Sequence, residues 1–281
     1  NLAEKWSDVP FLPIQFFKNR KVLTGNNPVQ KVFESSGTDN TQTSKHYVTN
    51  LQLYKDLLAN GFEAAYGQPN QYCLLALLPS YLERKDSSLV EMVKHLMQIS
   101  AHSRNGFFLN EFGLLKNTLK ELEKQAQPTI LIGVTFALLD FVEQFQLKVP
   151  NIIVMETGGM KGRRNELTRT ELHSILKKGF GSREIHSEYG MTELLSQAYS
   201  KGKGVYHPPN WMKVVARDVE DPLILLPPGT RGAINIIDLA NVHSCSFIAT
   251  DDIGLVNEDG TFEILGRLDG SEMRGCSLLA V

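Results

Sequence analysis

A repeated change of hydrophobic period constrains this chain most. Between residues 50 and 178, segments with helical spacing alternate with short apolar runs. The spacing predicts helices over 50–66, 86–100, 113–125, 136–145 and 167–178, with Asp86-Ser87-Ser88 as a cap, and strands over 71–78, 106–109, 129–134 and 151–155. Apolar strands separated by helices of this length need crossover connections, so the sheet is expected to be largely parallel, with flanking helices: an α/β fold. Such a sheet takes ligands at the carboxyl ends of its strands, in the loops that follow.

Three loops fall there. A strand-like stretch over 29–34 leads into Ser35-Ser36-Gly37-Thr38-Asp39-Asn40-Thr41-Gln42-Thr43-Ser44-Lys45. Its hydroxyls and backbone N–H groups suit a triphosphate, with Lys45 adding a point charge. The loop lacks the Walker A pattern, and a flexible linker would have the same composition. The second loop, 156–162, contains Gly158-Gly159, which lets the backbone approach a flat ligand or simply turn tightly. The third is His186-Ser187-Glu188-Tyr189-Gly190-Met191-Thr192-Glu193. An extended segment over 181–186 and a helical-looking run over 192–199 predict a strand-to-helix turn, with free N–H groups aimed at phosphate. Tyr189 would cover a base, Thr192 would donate to phosphate, and Glu193 would hold the magnesium that accompanies a nucleotide. Taken alone, an exposed loop with a threonine cap is the better reading.

Past residue 200 the texture changes. Strands are expected over 211–217 and 233–239, then a meander over 246–249, 255–257 and 261–265 with a hairpin turn at Glu258-Asp259-Gly260. This β-rich part is expected to form a distorted barrel packed on the α/β body. It carries Thr250-Asp251-Asp252-Ile253-Gly254 and Gly266-Arg267-Leu268-Asp269-Gly270. Asp252 can accept from two ribose hydroxyls and Arg267 can donate to sugar or phosphate; a turn aspartate and a surface arginine are the plain alternatives. At the other end, two prolines within 9–22 argue for an extended, packed segment rather than a helix.

Composition narrows the function classes. A net charge of −2 over 281 residues gives no attraction to nucleic acid or to an anionic membrane. No apolar run is long enough for a membrane span, and the mixed sequence after Asn1 has no signal-peptide pattern. Three widely spaced cysteines, Cys73, Cys245 and Cys276, fit a reducing compartment. A cytoplasmic location is therefore expected, and the absence of an initial Met leaves room for residues upstream.

The ordered set S-S-G-T, Gly-Gly, Y-G-M-T-E, T-D-D-I-G and G-R-L-D resembles the adenylate-forming superfamily of acyl- and aryl-CoA ligases, peptide-synthetase adenylation domains and luciferases. The resemblance runs from Val29 to Asp269. Within it the chain is most similar to the acyl-protein synthetase branch of bacterial bioluminescence operons, through Pro10 to Ile14, Tyr189 to Gln197 and Arg274-Gly275-Cys276. The resemblance implies the large N-terminal domain of such enzymes: an α/β nucleotide-binding body over 1–200, a β-rich subdomain over 201–270 and a tail over 271–281. It implies that ATP and Mg2+ are bound. Ser36, Gly37 and Thr38 would hold the β- and γ-phosphates, and Gly158, Gly159 and Tyr189 would frame adenine. Thr192 would meet the α-phosphate, Glu193 the magnesium, Asp252 and Arg267 the ribose, and Asp269 would be the hinge.

Two departures accompany it. The commoner phosphate loop reads S-S-G-T-T-G-x-P-K, and Lys45 stands two residues late. The chain ends twelve residues after Asp269, so the small C-terminal domain is expected to be absent. That favours a thiol acceptor such as Cys276, with Arg274 as a nearby cation, although the apolar run 278–281 also suits a buried cysteine. The expected reaction is ATP-dependent activation of a carboxylic acid, taken to be a fatty acid, with release of pyrophosphate, then acyl transfer to Cys276 or an acyl-accepting partner enzyme. A CoA ligase of the phenylacetate type and a catalytically silent nucleotide-binding scaffold are the rivals.

Overall fold

The computed structural model describes residues 4–35, 42–79, 86–158 and 167–268. In chain order its elements are β1 (Leu12–Pro13), α1 (Phe16–Asn19), β2 (Lys31–Glu34), β3 (Lys45–Val48), α2 (Leu51–Tyr66), β4 (Cys73–Leu77), α3 (Ser88–Ser100), β5 (Gly106–Phe108), α4 (Phe112–Lys124), β6 (Thr129–Val134), α5 (Thr135–Gln144), β7 (Ile153–Thr157), α6 (Arg169–Phe180) and β8 (Ile185–Tyr189). There follow β9 (Ala198–Ser200), β10 (Val205–Tyr206), β11 (Met212–Arg217), β12 (Arg231–Asp238), β13 (Phe247–Val256) and β14 (Phe262–Arg267).

The uniformly apolar runs become central strands. All five residues of β4 and all six of β6 are buried, as a parallel sheet covered on both faces requires. The first sheet has the order β5-β4-β6-β7-β8-β9, parallel except for β9. Helix starts follow their caps: the side chains of Asn50, Ser87 and Thr168 accept from Leu53 N, Val90 N and Glu171 N. Inside, Phe141 of α5 stacks on Phe180 of α6 at 5.5 Å, within a core shared by helices α2 to α6.

The second sheet is curled and antiparallel, in the order β10-β14-β13-β12-β11, with β1 added in parallel beside β13. Its core includes Ile14, Phe17, Tyr206, Ile236 and Phe262, and also takes in Tyr189 and Leu194 from the end of the first sheet. The turn after β8 therefore lies where the two cores meet.

Three expectations are corrected. The run over 192–199 is not helical; it is a turn that leads into β9. The stretches 246–249 and 255–257 belong to one strand, β13, so Thr250-Asp251-Asp252-Ile253-Gly254 lies within a strand rather than in a turn. A register shift at Ile253/Gly254 absorbs the irregularity that the glycine signals. Third, β2 and β3 form an antiparallel hairpin of their own, so the Ser35–Lys45 loop does not follow a strand of the parallel sheet. The Pro-containing segment gives β1 as expected, then a four-residue helix, α1, that buries Phe17.

Close packing of α5 on α6 depends on Gly179, where a Cβ would collide with the side chain of Val142. Alanine is the better helix former by about 1 kcal/mol, but overpacking costs about 1–3 kcal/mol. Gly179→Ala is therefore expected to lower stability by about 1–2 kcal/mol in denaturant unfolding, against the direction of helix propensity.

Candidate active site

The turn after β8 is shaped by side chains outside it. His46 Nδ1 donates to the Thr192 carbonyl at 3.0 Å, and Asn241 Nδ2 donates to the Glu193 carbonyl at 2.8 Å. The N–H of Leu195 reaches Asp238 Oδ2 at 3.2 Å and Asn241 Oδ1 at 3.1 Å, and that of Ser196 reaches Asp238 Oδ2 at 3.0 Å. Ser196 Oγ donates to Asp238 Oδ1 at 2.6 Å and accepts from Trp211 Nε1 at 2.9 Å. A helix here would need these N–H and C=O groups for its own ladder. His46, Asp238 and Asn241, all buried, have already claimed them. The predicted strand-to-helix turn fails for this reason, and the argument from a helix N-terminus fails with it.

A buried polar cluster adjoins the turn. Tyr189 Oη donates to Asp252 Oδ2 at 2.7 Å. Asp252 lies opposite Arg267 in the β13–β14 ladder, with Arg267 Nε 3.7 Å from Asp252 Oδ1 and Nη2 3.1 Å from Asp251 Oδ2. Gln15 Nε2, from the other end of the chain, donates to Asp251 Oδ1 at 2.6 Å. Beneath them Arg217 is anchored to Thr250 O at 2.8 Å and Asn235 Oδ1 at 2.8 Å. The structure thus brings together Tyr189, Asp252 and Arg267, with Thr192 and Glu193 on the same connection as Tyr189.

Gly158, with φ 67°, ends β7 in the left-handed region, and its carbonyl accepts from Thr135 Oγ1 at 2.7 Å. Lys45 opens β3, and its Nζ lies 3.0 Å from Glu34 Oε1 across the hairpin. Ser36, Gly37, Thr38, Gly159, Asp269 and Cys276 lie outside the described residues. Among the described residues no group of three or more His, Cys, Asp or Glu side chains is arranged for a metal. A nucleotide-bound magnesium needs less, because one or two carboxylates and the phosphates complete its shell, and the buried Glu193 fits that donor set.

Sequence reasoning passed over His46, Asp238, Asn241, Ser244 and Trp211. No spacing rule links them; the one local sign is that His46 follows Lys45 directly. It also passed over Glu188, which accepts from Thr157 Oγ1 at 2.5 Å, and over Glu156, 3.5 Å from His173 Nε2.

The two-sheet arrangement is that of the large domain of adenylate-forming enzymes. ATP-bound MatB from Rhodopseudomonas palustris superposes with a TM-score of 0.64 at 17% identity, over 87% of this chain and 49% of that one. FadD1 from Archaeoglobus fulgidus, a long-chain-fatty-acid–CoA ligase, superposes with 0.60 at 15% identity, over 85% and 52%. The chain thus spans about half the length of these solved relatives, and at such identities the likeness is one of fold. In sequence, the long-chain-fatty-acid–luciferin-component ligase of Vibrio harveyi is 29% identical over 307 residues, covering 99% of this chain and 78% of that protein. The enzyme of the same description from Aliivibrio fischeri is 28% identical over 137 residues, covering 44% and 36%. The profile of the family described as acyl-protein synthetase, LuxE, matches residues 1–280, and the chain belongs to that family.

His46 makes the clamp sensitive to acid. Burial lowers its pKa to about 4, and its neutral form donates through Nδ1 to Thr192 while Nε2 accepts from Ser244 Oγ at 2.8 Å. In the unfolded chain the ring takes up a proton near pH 6.5. Stability is therefore fully present above pH 6.5 and falls as pH drops through about 4, by about 3 kcal/mol from this ring alone. Denaturant unfolding against pH is expected to show this loss, and His46→Asn, whose amide can still donate to Thr192, to flatten it.

Proposed function

We propose that this protein activates a fatty acid with ATP, giving an acyl-adenylate and pyrophosphate, and then passes the acyl group to a thiol. One observation carries the reading: in a chain of the acyl-protein synthetase family, Tyr189, Asp252 and Arg267 meet in one buried cluster beside Thr192-Glu193. Likeness to ATP-bound MatB supports ATP as the nucleotide, and the names of the two Vibrionaceae ligases support a long-chain fatty acid.

The chain's own residues supply positioning and charge. Tyr189 covers the base while its hydroxyl orients Asp252, and Asp252 accepts from the ribose with Arg267 holding its second oxygen. Thr192, whose carbonyl His46 fixes, directs its hydroxyl to the α-phosphate, and Glu193 holds magnesium. Magnesium held there would neutralise phosphate charge, and the carboxylate would attack the α-phosphorus in line with pyrophosphate as the leaving group. Ser36, Gly37, Thr38 and Lys45 would grip the departing phosphates, and Gly158 and Gly159 would line the base. Cys276 is the proposed first acyl acceptor, with onward transfer to a partner protein and Asp269 as the hinge. Among the described residues no helix is long and apolar enough to cross a membrane, and Cys73 and Cys245 are free thiols. A cytoplasmic location completes the reading.

Carboxylate-dependent ATP–pyrophosphate exchange tests the first half-reaction. Exchange with long-chain fatty acids above the no-acid blank is expected; its absence from folded protein would favour a silent scaffold. Asp252→Ala should lower kcat/KM for ATP tenfold to a hundredfold, the loss of about 1.4–2.7 kcal/mol of charge-assisted hydrogen bonding. Cys276→Ser should keep the exchange and lose the hydroxylamine-labile acyl-protein. Acylation of free CoA with Cys276 unlabelled would mark a CoA ligase instead.

A further inference from the structure

The mechanism above leaves one buried carboxyl group unused. Glu188 is the penultimate residue of β8, 8% exposed, and it pairs with Tyr199 of β9. Its Oε2 accepts from the hydroxyl of Thr157, the last residue of β7 before Gly158, at 2.5 Å. Its Oε1 lies over Gly190, so close that any Cβ at position 190 would collide with it. Gly190 does not have a left-handed φ. A side chain at 190 would meet the Glu188 carboxyl, and it is this space, not the backbone conformation, that the glycine leaves free.

We propose that Glu188 is a positioning residue, whose carboxyl group ties the end of β7 to the Tyr189-Gly190 turn and so fixes the spacing of the two backbone segments that frame the base. The inference rests on the nucleotide reading given above. The tie joins Thr157-Gly158 to Tyr189-Gly190, which lie on neighbouring strands but on separate loops. Parallel pairing of β7 with β8 runs only from Val154↔Ile185 to Glu156↔Ser187, so the side chain takes over where the ladder stops.

The surroundings decide which charge state the carboxyl favours. From β7, Glu156 is equally buried, and its carboxyl is held below the usual range by His173 and Arg169 of α6 and by Ser187, against the opposing effect of burial. From α2, Tyr54 and Tyr66 face Glu188, as do Tyr199 of β9 and Tyr206 of β10. Among the described residues the Tyr199 hydroxyl has no hydrogen-bond partner. Burial pushes Glu188 up to about 7 against the Thr157 hydrogen bond, which favours the charged form, and the charge of Glu156 adds to the rise. With its proton, Glu188 is a neutral group resting on Gly190 and accepting from Thr157. Without it, Glu188 still accepts from Thr157, but a second buried negative charge stands beside Glu156, and repulsion and desolvation strain the position of the carboxyl that spaces the two segments.

The experiment compares wild type, Glu188→Gln and Glu188→Ala by fatty-acid-dependent ATP–pyrophosphate exchange across the pH range around 7, and by hydrogen exchange of the peptides covering 156–158 and 189–191. Glutamine keeps the acceptor for Thr157 and stays uncharged. Wild type should lose exchange on the alkaline side with a single ionisation near pH 7, and Glu188→Gln should match it below that point and abolish the alkaline loss. Glu188→Ala should raise KM for ATP about tenfold with a smaller change in kcat, and deprotect both peptides. An alkaline limb that persists in Glu188→Gln, or a glutamine variant as impaired as alanine, overturns the proposal. So does unchanged protection of both peptides in Glu188→Ala. If the alanine variant does not fold, the glutamine pH profile still decides. Hydrogen exchange needs no turnover: wild type without pyrophosphate exchange overturns the nucleotide reading, and the protection data then judge the tie separately.

Discussion

One buried carboxylate, that of Asp238, governs the shape of the candidate site. It accepts from two consecutive backbone N–H groups, from the Ser196 hydroxyl and from Ala240 N. Burial raises its pKa, and the four donors oppose the rise. Leaving such donors unmet in the interior would cost about 1–3 kcal/mol each, more than the helix propensity of 192–199 can return. The residue belongs to β12 in the second sheet, while the turn it shapes belongs to the first. Through this carboxylate the second sheet dictates backbone geometry at the end of the first.

The same division of labour recurs around Tyr189. Its ring packs edge-on against Phe262 at 5.3 Å, inside the second core, while its backbone closes β8 of the first sheet. Asp252 and Arg267 come from adjacent strands of the second sheet and face the Tyr189 hydroxyl across the boundary. Neither sheet holds the site alone. The loops supply groups for a ligand, and buried side chains behind them set positions to within hydrogen-bond tolerance.

Much of this was legible in the sequence. The period change over 50–178 gave the helices and parallel strands, because apolar content and caps are local properties; β6 falls at 129–134 as read and α2 one residue inside its expected start. The motif residues Tyr189, Asp252 and Arg267 were also found, and they do meet. What stayed hidden was whatever depends on distant partners. Thr192 to Tyr199 has a helical pattern, and nothing near it announces that Asp238 and Asn241 will occupy its N–H groups. Aspartates and a glycine at 250–254 suggest a turn; Gln15, Tyr189, Arg217 and Arg267, brought in by folding, make acidic side chains tolerable inside a strand. His46 and Glu188 escaped for a similar reason, since burial rather than residue type gives them their chemistry.

The pairing of β1 with β13 has a kinetic side. Leu12 and Pro13 lie beside Ile248 and Ala249, and Gln15 reaches Asp251 across 236 residues of chain. At a synthesis rate of about 5–20 residues per second, the first strand leaves the ribosome roughly ten to fifty seconds before its partner exists. In that interval Ile14 and Phe17, which end fully enclosed, lack the β13 and β14 side chains of the second core to pack against. The α/β body can assemble from contacts near in sequence while the curled sheet waits for both ends of the chain. Closing that sheet also seats Asp251 and Asp252, so the part of the candidate site that the second sheet supplies forms late.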